Sequence, residues 1–147
     1  MSYLLDTNTC IYIINSRPEK VLHRFHQERI GNIGISSITA SELTYGVIKS
    51  GSVRNRLALE MFLASLEIYP FNESVIWHYG EVRADLEKRG KTIGALDTMI
   101  AAHALALNSI LVTNNSREFN LAEGLHYDNC SKFSLWLMVM FLELIYY

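Results

Sequence analysis

Y-L-L-D-T-N, residues 3–8, is the stretch from which the fold can be inferred. Its three apolar residues are typical of a short strand that is buried on both faces, and the apolar run stops at Asp6. A carboxylate at this point belongs either to a surface turn or to a strand that carries a reactive acid at its end. The segments that follow decide between the two.

Segments with strand and helix character alternate along the rest of the chain. Strand-like runs are I-G-I-S-S-I at 33–38, E-I-Y-P-F at 67–71, S-I-L-V-T at 109–113 and L-H-Y-D at 125–128, and segments with helical spacing separate them. This alternation predicts an α/β layered domain with a mainly parallel central sheet. In such sheets ligands bind beyond the carboxyl ends of the strands, where Asp6 is expected to lie.

The composition fits a single folded domain. Half of the 147 residues are apolar and 19% are charged, which is enough for a sizeable core. The net charge of −2 argues against a protein that coats nucleic acid by charge alone. Cys10 and Cys130 form neither a zinc-binding spacing nor a disulfide framework, and no secretion signal follows Met1. We therefore expect a cytoplasmic protein that is not attached to a membrane.

Four acidic residues follow an apolar run or begin a helix beside one: Asp6, Glu42, Asp97 and Glu118. Each also has a purely structural explanation. Asp6 can cap the first helix, and Asp97 can be an N-cap or a first-turn acid. Glu42 can complete a capping box in which Thr39 is the N-cap, and Glu118 can be an ordinary loop acid.

The combination of these acids points to a metal site. If the sheet is parallel, all four lie at one edge of it, and converging carboxylates repel one another unless a cation binds between them. Mg²⁺, with Mn²⁺ as a substitute, prefers carboxylate oxygen and water as ligands. Such a site suits the hydrolysis of phosphodiester bonds, because the metal activates a water and shields the charge on the phosphate.

Four segments of the chain together resemble a known family. They are L-L-D-T-N at 4–8, S-x-x-x-x-E-L-x-Y-G at 37–46, I-G-A-L-D-T-M-I-A-A-H-A at 93–104 and L-V-T-N-N-S-R-E-F at 111–119. In this order and spacing they resemble the PIN-domain ribonucleases, specifically the VapC toxins of toxin–antitoxin pairs. The resemblance covers about residues 1–129. It implies a three-layer α/β/α fold, with residues 1–130 as the PIN domain.

The resemblance also implies roles for individual residues. Asp6 and Asp97 match the metal-binding aspartates, Glu42 matches the third acid, and Glu118 matches the last acid of one subgroup. Many relatives carry an acid where this chain has Asn115, which favours one Mg²⁺ over two. Apart from the resemblance, we expect polar residues near the acids to orient the Asp6 carboxylate or the water: Asn8, Thr7 or Thr113, and Asn115.

The substrate and partners are likewise implied by the resemblance. They are RNA, and for this subgroup the anticodon loop of initiator tRNA, whose cleavage halts translation. A cognate antitoxin inhibits the toxin, the toxin forms a homodimer, and operator DNA is bound only through the antitoxin complex. The alternative is an inactive PIN-like scaffold or nucleic-acid-binding module, which Asn115 favours and the retained acids oppose. A DNA nuclease with the same metal chemistry is a third possibility.

Basic residues and a histidine lie near the predicted site in sequence. Lys88, Arg89 and Lys91 form either a solvated helix end that suits the helix dipole or, together with Arg83, a contact to the RNA backbone. His103 follows Asp97 by six residues, which is not the spacing of a metal pair on a helix. We therefore predict that His103 packs within the domain or lies on the face of its helix, and is not a metal ligand.

The C-terminal tail at 131–147 departs from the family pattern. F-S-L-W-L-M-V-M-F-L-E-L-I-Y-Y at 133–147 is almost wholly apolar, yet shorter than the ~17–25 residues of a membrane-spanning helix. It is a packed helix, an interface, a membrane contact or a non-homologous extension from a shifted reading frame. We favour the extension, because relatives tend to stop soon after the last strand.

Overall fold

The computed structural model describes residues 2–15 and 33–129, and strands alternate with helices through both ranges. The strands are β1 (Tyr3–Leu5), β2 (Ile33–Ser36), β3 (Glu67–Tyr69), β4 (Ile110–Thr113) and β5 (Tyr127–Asn129). The helices are α1 (Thr7–Asn15), α2 (Ser37–Ser50), α3 (Val53–Ala64), α4 (Glu73–Lys88), α5 (Ala95–Ala106) and α6 (Ser116–Phe119). The predicted tail at 131–147 lies outside the described residues.

The strands form one sheet in the order β3-β2-β1-β4-β5, and all four strand pairings are parallel. The prediction of a mainly parallel sheet is therefore confirmed. β1 lies at the centre, where Leu5 pairs with Ile35 of β2 and Val112 of β4. Asp6 and Thr113, the residues that follow these paired positions, consequently meet at the carboxyl edge of the sheet.

Helices cover both faces of the sheet and create two separate cores. Leu5 and Val112 are buried against side chains of α1, α2 and α3. Leu4 and Leu111, their neighbours in sequence, are buried against side chains of α4, α5 and α6. Successive residues of a strand point to opposite faces, so the apolar runs of β1 and β4 supply both cores at once. This arrangement confirms the predicted three-layer α/β/α fold.

The beginning of α2 differs from the sequence-based prediction. The strand expected at 33–38 ends at Ser36, whose hydroxyl oxygen accepts the N–H of Ile38 at 3.1 Å and caps the helix. The predicted capping box of Thr39 and Glu42 is therefore wrong. A hydroxyl already stands at the end of the strand, so the helix starts there and Thr39 is buried inside its first turn.

Among the described helices, none has the length and apolar character needed to cross a bilayer.

Candidate active site

Asp6 lies between β1 and α1, and only 3% of it is exposed to solvent. One carboxylate oxygen, Oδ1, accepts the backbone N–H of Thr9 at 2.7 Å, so Asp6 caps α1 as expected. The other, Oδ2, accepts the hydroxyl of Thr113 at 2.5 Å. Thr9 is itself tied to β4, because its hydroxyl donates to the carbonyl of Val112 at 3.0 Å. The carboxylate is thus held from two sides.

The direction of the Thr113 hydrogen bond follows from its partners. The Thr113 hydroxyl oxygen accepts the backbone N–H of Asn115 at 2.8 Å. A hydroxyl has a single proton, and the Asp6 carboxylate has none to give, so Thr113 donates to Asp6. Asn8, also predicted to orient Asp6, has an exposed side chain. The orienting groups that contact Asp6 are Thr9 and Thr113.

Asp97 and Glu118 meet at the same edge of the sheet. Asp97 lies in the first turn of α5, which Gly94 caps, and Glu118 lies in α6. Burial, a hydrogen bond to the Glu118 carboxyl, the charge of Glu118 and the charge of Asp6 together raise the pKa of Asp97 to about 6. The carboxyl groups of Asp6, which follows β1, of Asp97 in α5 and of Glu118 in α6 are therefore close enough to interact electrostatically.

Glu42 is not among the groups that raise the pKa of Asp97. Its half-buried side chain lines a groove of about 250 Å³ between α1, α2 and α3, together with apolar residues such as Ile11, Leu43 and Leu59. Within residues 2–15 and 33–129, no group of three or more His, Cys, Asp or Glu side chains is close enough to hold a metal ion. Of the four acids predicted for the site, the structure brings Asp6, Asp97 and Glu118 to one edge and leaves Glu42 in the groove.

The chemistry of this edge fits a hard divalent cation. The groups that meet there are carboxylates, and burial together with the neighbouring Glu118 and Asp6 raises the pKa of Asp97, so a negative charge on Asp97 is disfavoured unless a cation lies nearby. A divalent cation with a preference for oxygen ligands stabilises such a charge. Because the described side chains do not yet converge closely enough on one point, Asp6, Asp97 and Glu118 would hold the cation after a small shift of their side chains, and Glu42 would reach it through water or a shift of its own.

Three of the four basic residues predicted to contact RNA, namely Arg83, Arg89 and Lys91, have different surroundings. Arg83 binds residues of its own helix, Glu87 at 3.0 Å and the hydroxyl of Tyr79 at 3.2 Å. Arg89, just past the end of α4, binds Asp85 and the backbone carbonyl of Leu121.

Lys91, the third of these residues, is exposed. Within residues 2–15 and 33–129, Arg89 hydrogen-bonds to a residue outside α4, whereas the hydrogen bonds of Arg83 are to residues of α4 itself.

His103 packs within the domain, as predicted. It is fully buried, its Nδ1 lies 2.8 Å from the hydroxyl of Ser36, and the edge of its ring contacts Phe71. Burial lowers the pKa of His103, so the ring is neutral.

Two contacts were not predicted from the sequence: that of Thr9 with Asp6 at the site and that of Ser36 with His103 in the core. Thr9 could have been found from the D-x-x-T spacing of a helix cap. The contact between Ser36 and His103 had no local signal, since the two residues are far apart in the sequence.

Comparison with known proteins is consistent with this geometry. The model of the PIN domain family matches residues 3–124. Ribonuclease VapC2 of Rickettsia felis is 43% identical over 134 residues, which cover 90% of this chain and all of the relative. The tRNA(fMet)-specific endonuclease VapC of Shigella flexneri is 38% identical over 132 residues, 89% of this chain and 99% of the relative. The structure of VapBC2 from Rickettsia felis bound to a DNA fragment from its promoter is similar with a TM-score of 0.77 and 43% identity, and covers 88% of this chain and 98% of that one.

Proposed function

Because the chain belongs to the PIN-domain family and, within it, to the VapC ribonucleases, we propose that it is a Mg²⁺-dependent endoribonuclease and the toxin of a toxin–antitoxin pair. The family generally uses a divalent metal ion. The observation that carries the proposal is the meeting of Asp6, Asp97 and Glu118 at the carboxyl edge of the sheet, with the pKa of Asp97 raised to about 6. Mg²⁺ is the abundant divalent ion that prefers such an all-oxygen set.

We assign separate roles to the acids. Asp6 and Asp97 bind the metal, Glu42 completes the ligand set, and Glu118 acts at the same centre as the last catalytic acid. Thr113 and the backbone of Asn115 keep the Asp6 carboxylate in one orientation. The chemistry that Mg²⁺ supplies when bound is activation of a water and neutralisation of charge on the phosphate.

The proposed substrate is tRNA, and specifically initiator tRNA. The support is the name of the relative from Shigella flexneri, a tRNA(fMet)-specific endonuclease that aligns over 89% of this chain. We infer that the chain cleaves in the anticodon loop and acts in the cytoplasm, where translation takes place.

Incubation of the purified protein with total tRNA and Mg²⁺ tests this proposal. The wild type should cleave initiator tRNA, and Asp6→Asn should not. Intact initiator tRNA beside cleaved RNAs of other kinds would reject the substrate, and cleavage of nothing would favour an inactive PIN-like module. A DNA substrate in the same assay tests the DNA nuclease alternative.

The proposed protein partner is a cognate antitoxin, since the VapBC2 structure contains one in complex with a similar chain. The groove between α1, α2 and α3 offers it an apolar surface, and exposed apolar side chains flank the groove: Ile11, Tyr12, Tyr45, Ile48 and Leu57. Glu42 lies in the same groove, so an antitoxin bound there contacts one of the proposed catalytic acids.

Assembly follows the same relatives. We propose a homodimer that contacts operator DNA only through the antitoxin, because the similar complex was bound to promoter DNA as VapBC2. We also propose that the PIN domain ends near residue 130, a boundary supported by the family match over 3–124. Co-expression with the neighbouring small reading frame, followed by size-exclusion chromatography, tests both the antitoxin and the oligomer.

A further inference from the structure

Arg83 of α4 and Arg89, the residue that follows α4, differ in their contacts in a way that bears on the active site. Arg83 and Arg89 belong to the same predicted basic surface, yet Arg83 contacts only Glu87 and Tyr79 of its own helix among the described residues. Arg89 instead reaches across to the segment that follows α6. Its Nη2 donates to the backbone carbonyl of Leu121 at 2.7 Å.

Asp85 holds Arg89 in place for this contact. The Arg89 guanidinium donates from Nε and Nη2 to one oxygen of Asp85, at 2.9 and 2.5 Å. Asp85 lies one turn earlier on α4, and both side chains are partly shielded, with 37% and 38% of their surface exposed. The hydrogen bonds between Arg89 and Asp85 are charge-assisted, and they hold the guanidinium within hydrogen-bond distance of the Leu121 carbonyl.

The contact continues to Glu118 through a single backbone hydrogen bond. The N–H of Leu121 donates to the carbonyl of Glu118 at 3.0 Å. The carboxyl of Glu118 in turn meets that of Asp97. A continuous set of contacts therefore runs from Asp85 through Arg89 and Leu121 to the residue that lies beside Asp97.

We propose that Arg89 is a positioning residue that fastens the end of α6 to the end of α4 and thereby holds Glu118 against Asp97. The consequence for metal binding rests on the function proposed above, whereas the fastening of α6 does not. Phe119, fully buried beside Glu118, keeps α6 docked on the core when Arg89 is removed. The substitution is thus expected to loosen the segment without unfolding the domain.

This role and the RNA-contact role predict opposite results for Asp85→Asn. If Arg89 positions Glu118, loss of the Asp85 charge weakens the fastening, as Arg89→Ala does. If Arg89 binds the RNA backbone, loss of the Asp85 charge frees the guanidinium and strengthens RNA binding. Arg83→Ala is the matched control, because it removes a charge from the same helix without contact to α6.

The test measures amide hydrogen exchange over residues 116–121 in metal-free protein, Mn²⁺ affinity by electron paramagnetic resonance, and tRNA affinity as a function of salt. For Arg89→Ala we expect amide hydrogen exchange at Leu121 to be about tenfold faster. We also expect the Mn²⁺ Kd to be about tenfold higher, which is the low end of the loss in affinity seen when a residue that orients a metal ligand is replaced. Asp85→Asn should change both in the same direction, Arg89→Lys should restore part of the loss, and Arg83→Ala should change neither.

Unchanged exchange in both Arg89→Ala and Asp85→Asn would overturn the proposal, as would a tighter tRNA complex in Asp85→Asn. If the wild type itself bound no Mn²⁺, the proposed function would fail, and exchange at Leu121 would still decide whether Arg89 fastens α6.

Discussion

Asp6 and Glu42 follow neighbouring strands, β1 and β2, but their carboxylates lie in different surroundings. Asp6 is almost fully buried, and Thr9 and Thr113 each donate a hydrogen bond to it. Glu42 lies six residues past the cap of its helix, half-buried in an apolar groove. Asp6, Asp97 and Glu118, which interact at the sheet edge, form the assembled half of the site, and Glu42 in the groove forms the other half.

The different surroundings of Asp6 and Glu42 indicate how one site can bind a metal ion and also be inhibited by a bound protein. A carboxylate that is fixed in advance needs little ordering when a cation binds, which favours affinity. An acid in a partner-accessible groove can be drawn away from the metal or brought to it by a bound protein. We therefore expect substitutions in the assembled half to act on metal binding directly, and substitutions of Glu42 to act through the groove.

Asp6→Asn should give the largest effect. Asparagine keeps an oxygen for the N–H of Thr9 and is a good N-cap, so the fold should remain. The loss of the charge should lower the rate of tRNA cleavage in Mg²⁺ by more than about 100-fold. This is a larger loss than the replacement of a residue that only orients a metal ligand causes. The free energy of unfolding of the metal-free protein is the control, and a large drop there would show that Asp6 matters chiefly for folding.

Thr113→Val should come next. Valine leaves the buried Asp6 oxygen and the N–H of Asn115 without their partner, and a hydrogen bond to a charged group contributes about 2 kcal/mol. The free energy of unfolding should fall by about that amount, and the Mn²⁺ Kd should rise about tenfold. Thr113→Ser retains the hydroxyl and should restore both the free energy of unfolding and the Mn²⁺ Kd. If the serine variant were as unstable and bound Mn²⁺ as weakly as the valine variant, the methyl group of Thr113, and not its hydrogen bond, would be responsible for the effect.

The assembled half of the site was largely predictable from the sequence, and the reason is periodicity. Parallel strands end at one edge, so an acid directly after L-L and the residues after I-L-V-T had to lie near each other. Glu42 lies six residues beyond the end of its strand, so the direction of its side chain depends on where α2 begins.

The beginning of α2 was mispredicted. Both Ser36 and Thr39 can serve as the N-cap of a helix, and in the structure Ser36 is the N-cap of α2. Contacts between distant segments, such as Arg89 with Leu121, depend on tertiary packing and had no local signal.

A change in pH should have a moderate effect on the assembled half. Since the pKa of Asp97 is raised to about 6, a proton competes with the metal below that value, and the Mn²⁺ Kd should be about tenfold higher at pH 5 than at pH 7. The free energy of unfolding of the metal-free protein should be higher at pH 5 than at pH 7, whereas Mn²⁺ should bind more tightly at pH 7. The contribution of Asp97 is fully present below its unfolded pKa of 3.8 and is lost as the pH rises through about 6.

Mn²⁺ titrations and thermal unfolding at the two pH values, on wild type and Asp97→Asn, measure both trends. Asp97→Asn should flatten the pH dependence of metal-free stability between pH 4 and 7. A dependence that persists unchanged in this variant would assign the effect to other groups.

The smallest effect, a change in one pKa, tests the comparison most directly. Glu118→Gln removes the negative charge beside Asp97, so the pKa of Asp97 should fall from about 6 toward the ordinary aspartate value of about 3.9. Glu42→Gln should leave it near 6, because the groups that raise it are Glu118 and Asp6, together with burial. Carboxyl ¹³C NMR titration of the metal-free protein separates the two variants. If Glu42→Gln lowered this pKa as much as Glu118→Gln, Glu42 would already belong to the assembled half in solution, and a partner in the groove would then act on all four acids at once.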